Sequence, residues 1–128
     1  MAKARDPLGR MRRIVAQWPE TDERLSHGAP TFWGGKKTFA NFHDDHHGDG
    51  RRAIWMKAPP GMQGELVDAD PELFFVPPYV GPSGWVGLRV DRDVDWRMVE
   101  ALLEQAYRLV APKRAIRQLD ERGADRKA

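Results

Sequence analysis

Residues 23 to 58 leave this chain little freedom of architecture, because strand-like blocks follow one another with almost no chain between them. In "ERLSHGAPTFWGGKKTFANFH" an aromatic run stands on each side of Gly34 and Gly35. A Gly-Gly pair flanked in this way signals a two-residue hairpin turn, since glycine accepts the positive φ angles that tight turns require. "RRAIWMKA" supplies a further strand, and Asp44 to Gly50 joins strands predicted over 36–43 and 51–58. Parallel pairing would need a crossover of a dozen or more residues. The spacing therefore predicts antiparallel strands, closed off by Pro59-Pro60-Gly61.

Helical signals flank this block. In "DPLGRMRRIVAQWPE", Asp6 can cap, Pro7 suits the first helical position, and Leu8, Met11, Ile14, Val15 and Trp18 recur at helical spacing before Pro19 stops the run. "MQGELVDADPELFFVPPY" predicts a short helix up to Asp70, then an irregular segment anchored by Phe74 and Phe75, and "GWVGLRV" predicts a strand. "DVDWRMVEALLEQAYRLVAP" has Asp95 as N-cap and one apolar stripe through Trp96, Val99, Leu103, Ala106, Tyr107 and Val110. Pro112 ends that helix or starts a new turn. The expected class is α+β, a two-layer sandwich with helices packed on one face of an antiparallel sheet.

With 128 residues, including five Trp and five Phe, the chain can bury a real core as one domain. The expected domain spans residues 1–112, and the polar residues 113–128 are expected to form a frayed, basic tail. No window approaches eighteen consecutive apolar residues and the first residues lack the apolar stretch of a signal peptide, so a cytoplasmic protein without membrane contact is expected. The absence of cysteine excludes disulfides, cysteine nucleophiles and thiolate metal sites.

The net charge of +2 is unevenly spread. Residues 1–13 carry +4 and residues 112–128 carry +3, which leaves −5 for the body between them. Basic ends on an acidic body can attract nucleic acid without reading its sequence.

One stretch, "FHDDHHGDG", invites chemistry. Neutral imidazoles and carboxylates suit zinc and similar ions, which makes His43, His46, His47 and Asp49 candidate metal ligands, with Asp44 or Asp45 as further oxygen donors. Geometry opposes convergence, because adjacent side chains on a strand diverge. A calcium-loop register started at Asp45 puts Met56 at the twelfth position, where a bidentate Glu is required, and fails. The plainer reading is a hairpin loop in which Asp and His tolerate positive φ and bond their own backbone. No nucleophile elbow, phosphate-binding glycine loop or HExxH helix is present, so no catalytic residue is assigned and no cofactor is expected.

Basic residues beside aromatic ones give the other signal. Lys36, Lys37, Arg51, Arg52 and Lys57 lie on or beside the predicted hairpins, close to Trp33, Phe39 and Trp55. Such a surface can hold a phosphate backbone and stack bases.

Further residues carry a resemblance. Pro77-Pro78-Tyr79-Val80-Gly81, Gly84-Trp85-Val86-Gly87, Asp95-Trp96 and Tyr107 through Arg114 resemble the C-terminal signature of the MmcQ/YjbR-like family. Pro30-Thr31-Phe32, Lys36, Phe39-Ala40, Trp55 through Gly61 and Asp70-Pro71 fall where that family has similar residues, so the likeness covers roughly residues 8 to 115. It implies an α+β fold similar to the frataxin-like CyaY arrangement, and a protein that binds DNA. The expected role is non-enzymatic, with weak binding to DNA phosphates through Arg51, Arg52, Lys57, Arg108, Lys113 and Arg114, then Lys36 and Lys37. The alternatives are a small-ligand or metal module near Tyr79, Trp85 and the histidine loop, and an adaptor for a protein partner.

Overall fold

A computed structural model describes residues 5–127. The strand block forms β1 (Thr21–Ser26), β2 (Ala29–Gly34), β3 (Lys37–Asp44) and β4 (Arg52–Met56); β5 (Phe74–Phe75) and β6 (Val86–Arg89) complete one sheet in the order β1-β2-β3-β4-β6-β5. All its pairings are antiparallel. The helices are α1 (Pro7–Val15), α2 (Met62–Ala69), α3 (Trp96–Arg108) and α4 (Lys113–Lys127). The α+β expectation therefore holds.

Strand alternation sorts the side chains into two layers. Phe32, Phe39, Phe42, Ile54, Met56, Phe74, Val86 and Leu88 pack against Met11, Ile14 and Val15 of α1 and Trp96, Val99, Leu103 and Tyr107 of α3. The opposite face carries a smaller cluster of Ala53, Trp55, Phe75 and Trp85. Tyr107 fixes the helical layer to the turn after α1: its hydroxyl donates to the Pro19 carbonyl at 2.6 Å, and its ring stacks on Trp18 at 5.2 Å. The helix starts follow the sequence. Asp6 Oδ1 accepts from the Gly9 N–H, and Asp95 Oδ1 from the Arg97 N–H.

Four local expectations change. The β2–β3 turn consists of Gly35 and Lys36, because Gly34 pairs with Lys37. That register places Gly34 against Tyr107, where a β-carbon would sit only 3.2 Å from the ring. Phe74 and Phe75 form an edge strand on β6. α1 ends at Val15, ahead of Pro19, and the Thr21 hydroxyl bonds to the Trp18 carbonyl. Most important, residues 113–127 are not a frayed tail but α4. Two of its few apolar side chains turn inward, with Ala115 fully buried and Leu119 against the core. Arg108 bonds Asp120, and Arg122 donates to the Gln17 carbonyl. Anchoring by other elements sustains a helix whose own composition reads as tail. Ala128 and residues 1–4, part of the basic N-terminal segment, lie outside the described residues.

Candidate functional site

β3 runs the full depth of the sheet, and charged residues gather at its two ends. At the start of β3, the turn at Gly35 meets the α3–α4 junction. A β-carbon on Gly35 would lie 2.8 Å from the Pro112 ring, so only glycine lets the two segments touch this closely, and Gly35 also has φ +65°. This contact brings Lys36 and Lys37 to Arg114 around an open recess of about 580 Å³, and Lys113 follows Pro112 at the start of α4. All four are exposed. Arg114 forms two 2.6 Å bonds with Glu20, whose carboxyl it holds below the usual range. Lys57 lies near the same end, its N–H bonded to the Phe39 carbonyl.

At the end of β3, the loop to β4 is a hydrogen-bonded hairpin. Asp45 Oδ1 accepts from the Gly50 N–H at 2.7 Å, and Asp49 Oδ1 from the Arg51 N–H at 2.9 Å. Asp45 and His47 adopt positive φ, as Asp and His tolerate. The loop folds back over the second face of the sheet. His43 stacks on Trp55 at 3.5 Å, and His46 meets the edges of His43, Trp55, His47 and Tyr79. Burial, and then the neighbouring His46, push His43 down to about 4. Its Nε2 lies 3.0 Å from Asn41 Oδ1, which can only accept, so the neutral ring carries its proton there. His47 Nε2 faces the Tyr79 hydroxyl at 3.4 Å. His46 Nε2 and Trp55 Nε1 are sealed from solvent without a hydrogen-bond partner.

The histidines therefore converge as rings, with their nitrogens turned to different neighbours. Among the described residues no three His, Asp or Glu side chains form a set that could hold a metal ion. Tyr79 and the histidine loop do come together, and Trp85 packs beside Trp55 on the same face.

The eight basic candidates do not share one surface. Lys36, Lys37 and Arg114 share a recess at the start of β3, with Lys113 next to Arg114 in the chain, whereas Arg51 and Arg52 lie beyond its far end. Arg108 is held by Glu104 and Asp120, and Arg52 stands 3.5 Å from Asp44. The neighbouring aromatics are mostly packing: Phe39 and Trp55 are buried, and half-buried Trp33 lies under the Arg24 guanidinium at 4.0 Å. The sequence reading also missed Arg89, Asp91 and Arg92, which form a linked ionic group beside Arg51. Their signal was present in "RVDRD", where Arg89 and Asp91 are two apart at a strand end and so share a face.

A six-stranded antiparallel sheet, with helices on one face and imidazole and indole rings on the other, defines a small two-layer α+β domain with its charged groups in open surface recesses. The YjbR family model matches residues 16–109, and the chain belongs to the YjbR family. Among solved structures, the Deinococcus radiodurans protein DR2400, with a DUF419 domain, is similar over 88% of this chain and 87% of its own, with a TM-score of 0.70 and 19% identity. That likeness establishes the shared fold. No curated protein matches the chain. Among the described residues, no helix is long and apolar enough to cross a membrane.

Proposed function

We propose that this chain is a non-enzymatic module that binds DNA through its phosphates, at the surface where the β2–β3 turn meets the start of α4. The supporting observation is one of balance. Lys36, Lys37 and Lys113 have no ion-pair partner among the described residues, and Glu20, the one carboxylate lining the recess that Lys36 and Lys37 share with Arg114, is already bonded to Arg114. The N-terminus of α4 adds its dipole to the same surface. Lysine ammonium groups neutralise phosphates as point charges and read no base, so this surface confers affinity without a sequence code.

Fluorescence anisotropy with a labelled duplex tests the reading. Three or four neutralised phosphates give a slope of about −2.7 to −3.6 in log K against log salt, so a fourfold rise in salt weakens binding roughly 40- to 150-fold. Absence of binding at low salt, or binding that ignores salt, overturns it.

A second reading is favoured by the orphaned His46 Nε2 and Trp55 Nε1. Buried polar groups without partners are uncommon, and they suit a small ligand held by the histidine loop, Tyr79 and Trp85. Calorimetric titration with zinc, nickel and iron, repeated on His46→Ala/His47→Ala, decides the metal form of this reading. Equal heats in both proteins remove it.

A further inference from the structure

The far end of β3 holds a different arrangement, independent of the lysine surface. Between the β3–β4 loop and the β5–β6 edge lies an open recess of about 380 Å³, lined by Arg51, Arg89, Arg92, Glu72 and Phe75 among others. Three guanidinium groups in one recess repel one another unless anions separate them. Asp91 and, for Arg89, the nearby charge of Asp49 supply part of that compensation. Asp91 serves two of them, at 2.8 Å from Arg89 Nη2 and 3.7 Å from Arg92 Nε. Asp91 also accepts from the Arg52 N–H at 3.4 Å.

Arg92 is incompletely bonded. Its Nη1 donates to the Glu72 carbonyl at 3.1 Å, while its Nε is sealed from solvent and makes no hydrogen bond. Arg51 has no carboxylate partner among the described residues. Its guanidinium lies over the Phe75 ring, 4.1 Å from the centroid. A guanidinium held over a ring face leaves its N–H groups free for other acceptors, and the contact limits where they can lie. Gly87 makes this possible: Phe75 occupies the space that any side chain there would fill.

The geometry points to a binding site for a phosphate monoester. Arg51 presents a fork of donors free of carboxylates, and Arg92 adds a second guanidinium whose donors are only partly used. Asp91 holds Arg89 and Arg92 in place as the wall. A doubly charged phosphate offers three acceptor oxygens to such forks, as bidentate arginine recognition requires. The recess is as large as the smaller ligand sites, so it admits a phosphorylated molecule and not only a bare ion. Glu72 is an exposed residue of the same lining, and its negative charge sets a polarity: the phosphate sits toward Arg51, and an uncharged or cationic remainder toward Glu72. The same monoester chemistry occurs on free small molecules and at the 5′ end of a nucleic-acid strand.

The test follows the arginine Nε–Hε signals by heteronuclear NMR. Phenyl phosphate is titrated against sodium chloride of equal ionic strength. Saturating shifts at Arg51 and Arg92 are expected, with affinity falling at least tenfold in Arg51→Ala and in Arg92→Ala. Arg51→Lys keeps the charge and loses the fork, and should weaken binding severalfold with an unchanged circular dichroism spectrum. Lys36→Ala/Lys37→Ala should bind phenyl phosphate as the parent does while losing duplex affinity, which separates this site from the proposed DNA surface. A 5′-phosphorylated trinucleotide binding more tightly than both phenyl phosphate and its 5′-hydroxyl counterpart would assign the monoester to strand ends; equal affinity with phenyl phosphate would assign it to small molecules. Shifts no larger than chloride produces, or parental affinity in both Arg51 variants, overturn the site.

Discussion

The two ends of β3 hold similar kinds of charge and use them in opposite ways. At the Lys37 end, three lysines stand exposed and the neighbouring carboxylate is occupied by Arg114. At the Asp44 end, Asp44 reaches Arg52, Asp91 is shared by two arginines, and Asp45 and Asp49 bond the loop backbone. The number of cations does not separate them. What differs is where the carboxylates are already engaged: the first end projects a field into solvent, and the second closes most of its charge into a shaped recess.

The most severe way to break this contrast is to reverse charge at each end. Lys36→Glu/Lys37→Glu/Lys113→Glu should lower duplex affinity at least 100-fold, about 3 kcal/mol, while Arg52→Glu changes it less than threefold. Anisotropy at low salt measures both, and similar losses would erase the distinction between the ends. A steric version follows from two glycines. Gly35 and Gly48 both have positive φ, but a β-carbon meets Pro112 at Gly35 and open space at Gly48. Gly35→Ala should cost roughly 3 kcal/mol in urea unfolding and Gly48→Ala about 1, the difference being the displaced Pro112.

A pH experiment probes the loop end. His43 titrates near 4 when folded and near its ordinary 6.5 when unfolded. Below 6.5 the unfolded chain binds a proton that the folded chain refuses, so His43 contributes its full stabilisation above that value and loses it as pH falls toward 4. The loss should be on the order of 2 kcal/mol, allowing for the part of the ring that solvent reaches. Thermal unfolding from pH 7 to pH 4 should show this slope, and His43→Gln should flatten it. The mildest change sharpens the other end: Glu20→Gln frees Arg114 and should tighten duplex binding about two- to fourfold, whereas weaker binding would mean that the Arg114 geometry matters more than its charge.

Much of the fold was legible because its signals are local. Gly-Gly between aromatic runs marked a hairpin, and Asp95 with the stripe from Trp96 to Tyr107 marked α3. The β2–β3 turn moved by one residue because Gly34 is needed under Tyr107, a contact between distant segments that no local pattern records. α4 was hidden for the same reason, since Ala115, Leu119 and the Arg108–Asp120 pair have meaning only once α3 is in place. In the sites, residue types were readable and pairing was not. Glu104 four residues ahead of Arg108 is a readable pair, but nothing in the sequence shows that Asp120 also grips Arg108 while Lys113 stands exposed. The histidine loop was readable as a hairpin, but its packing on Trp55 depends on which face β3 turns outward.

The contact between Gly35 and Pro112 also fixes an order of events. A chain is made from its N-terminus, so all six strands, the last ending at Arg89, exist before Pro112 is added. Lys36 and Lys37 therefore precede Lys113 in the growing chain, and Pro112 packs against the turn that carries them. A variant ending before Pro112 would keep the first two charges and lose Lys113 and Arg114 from the surface proposed above.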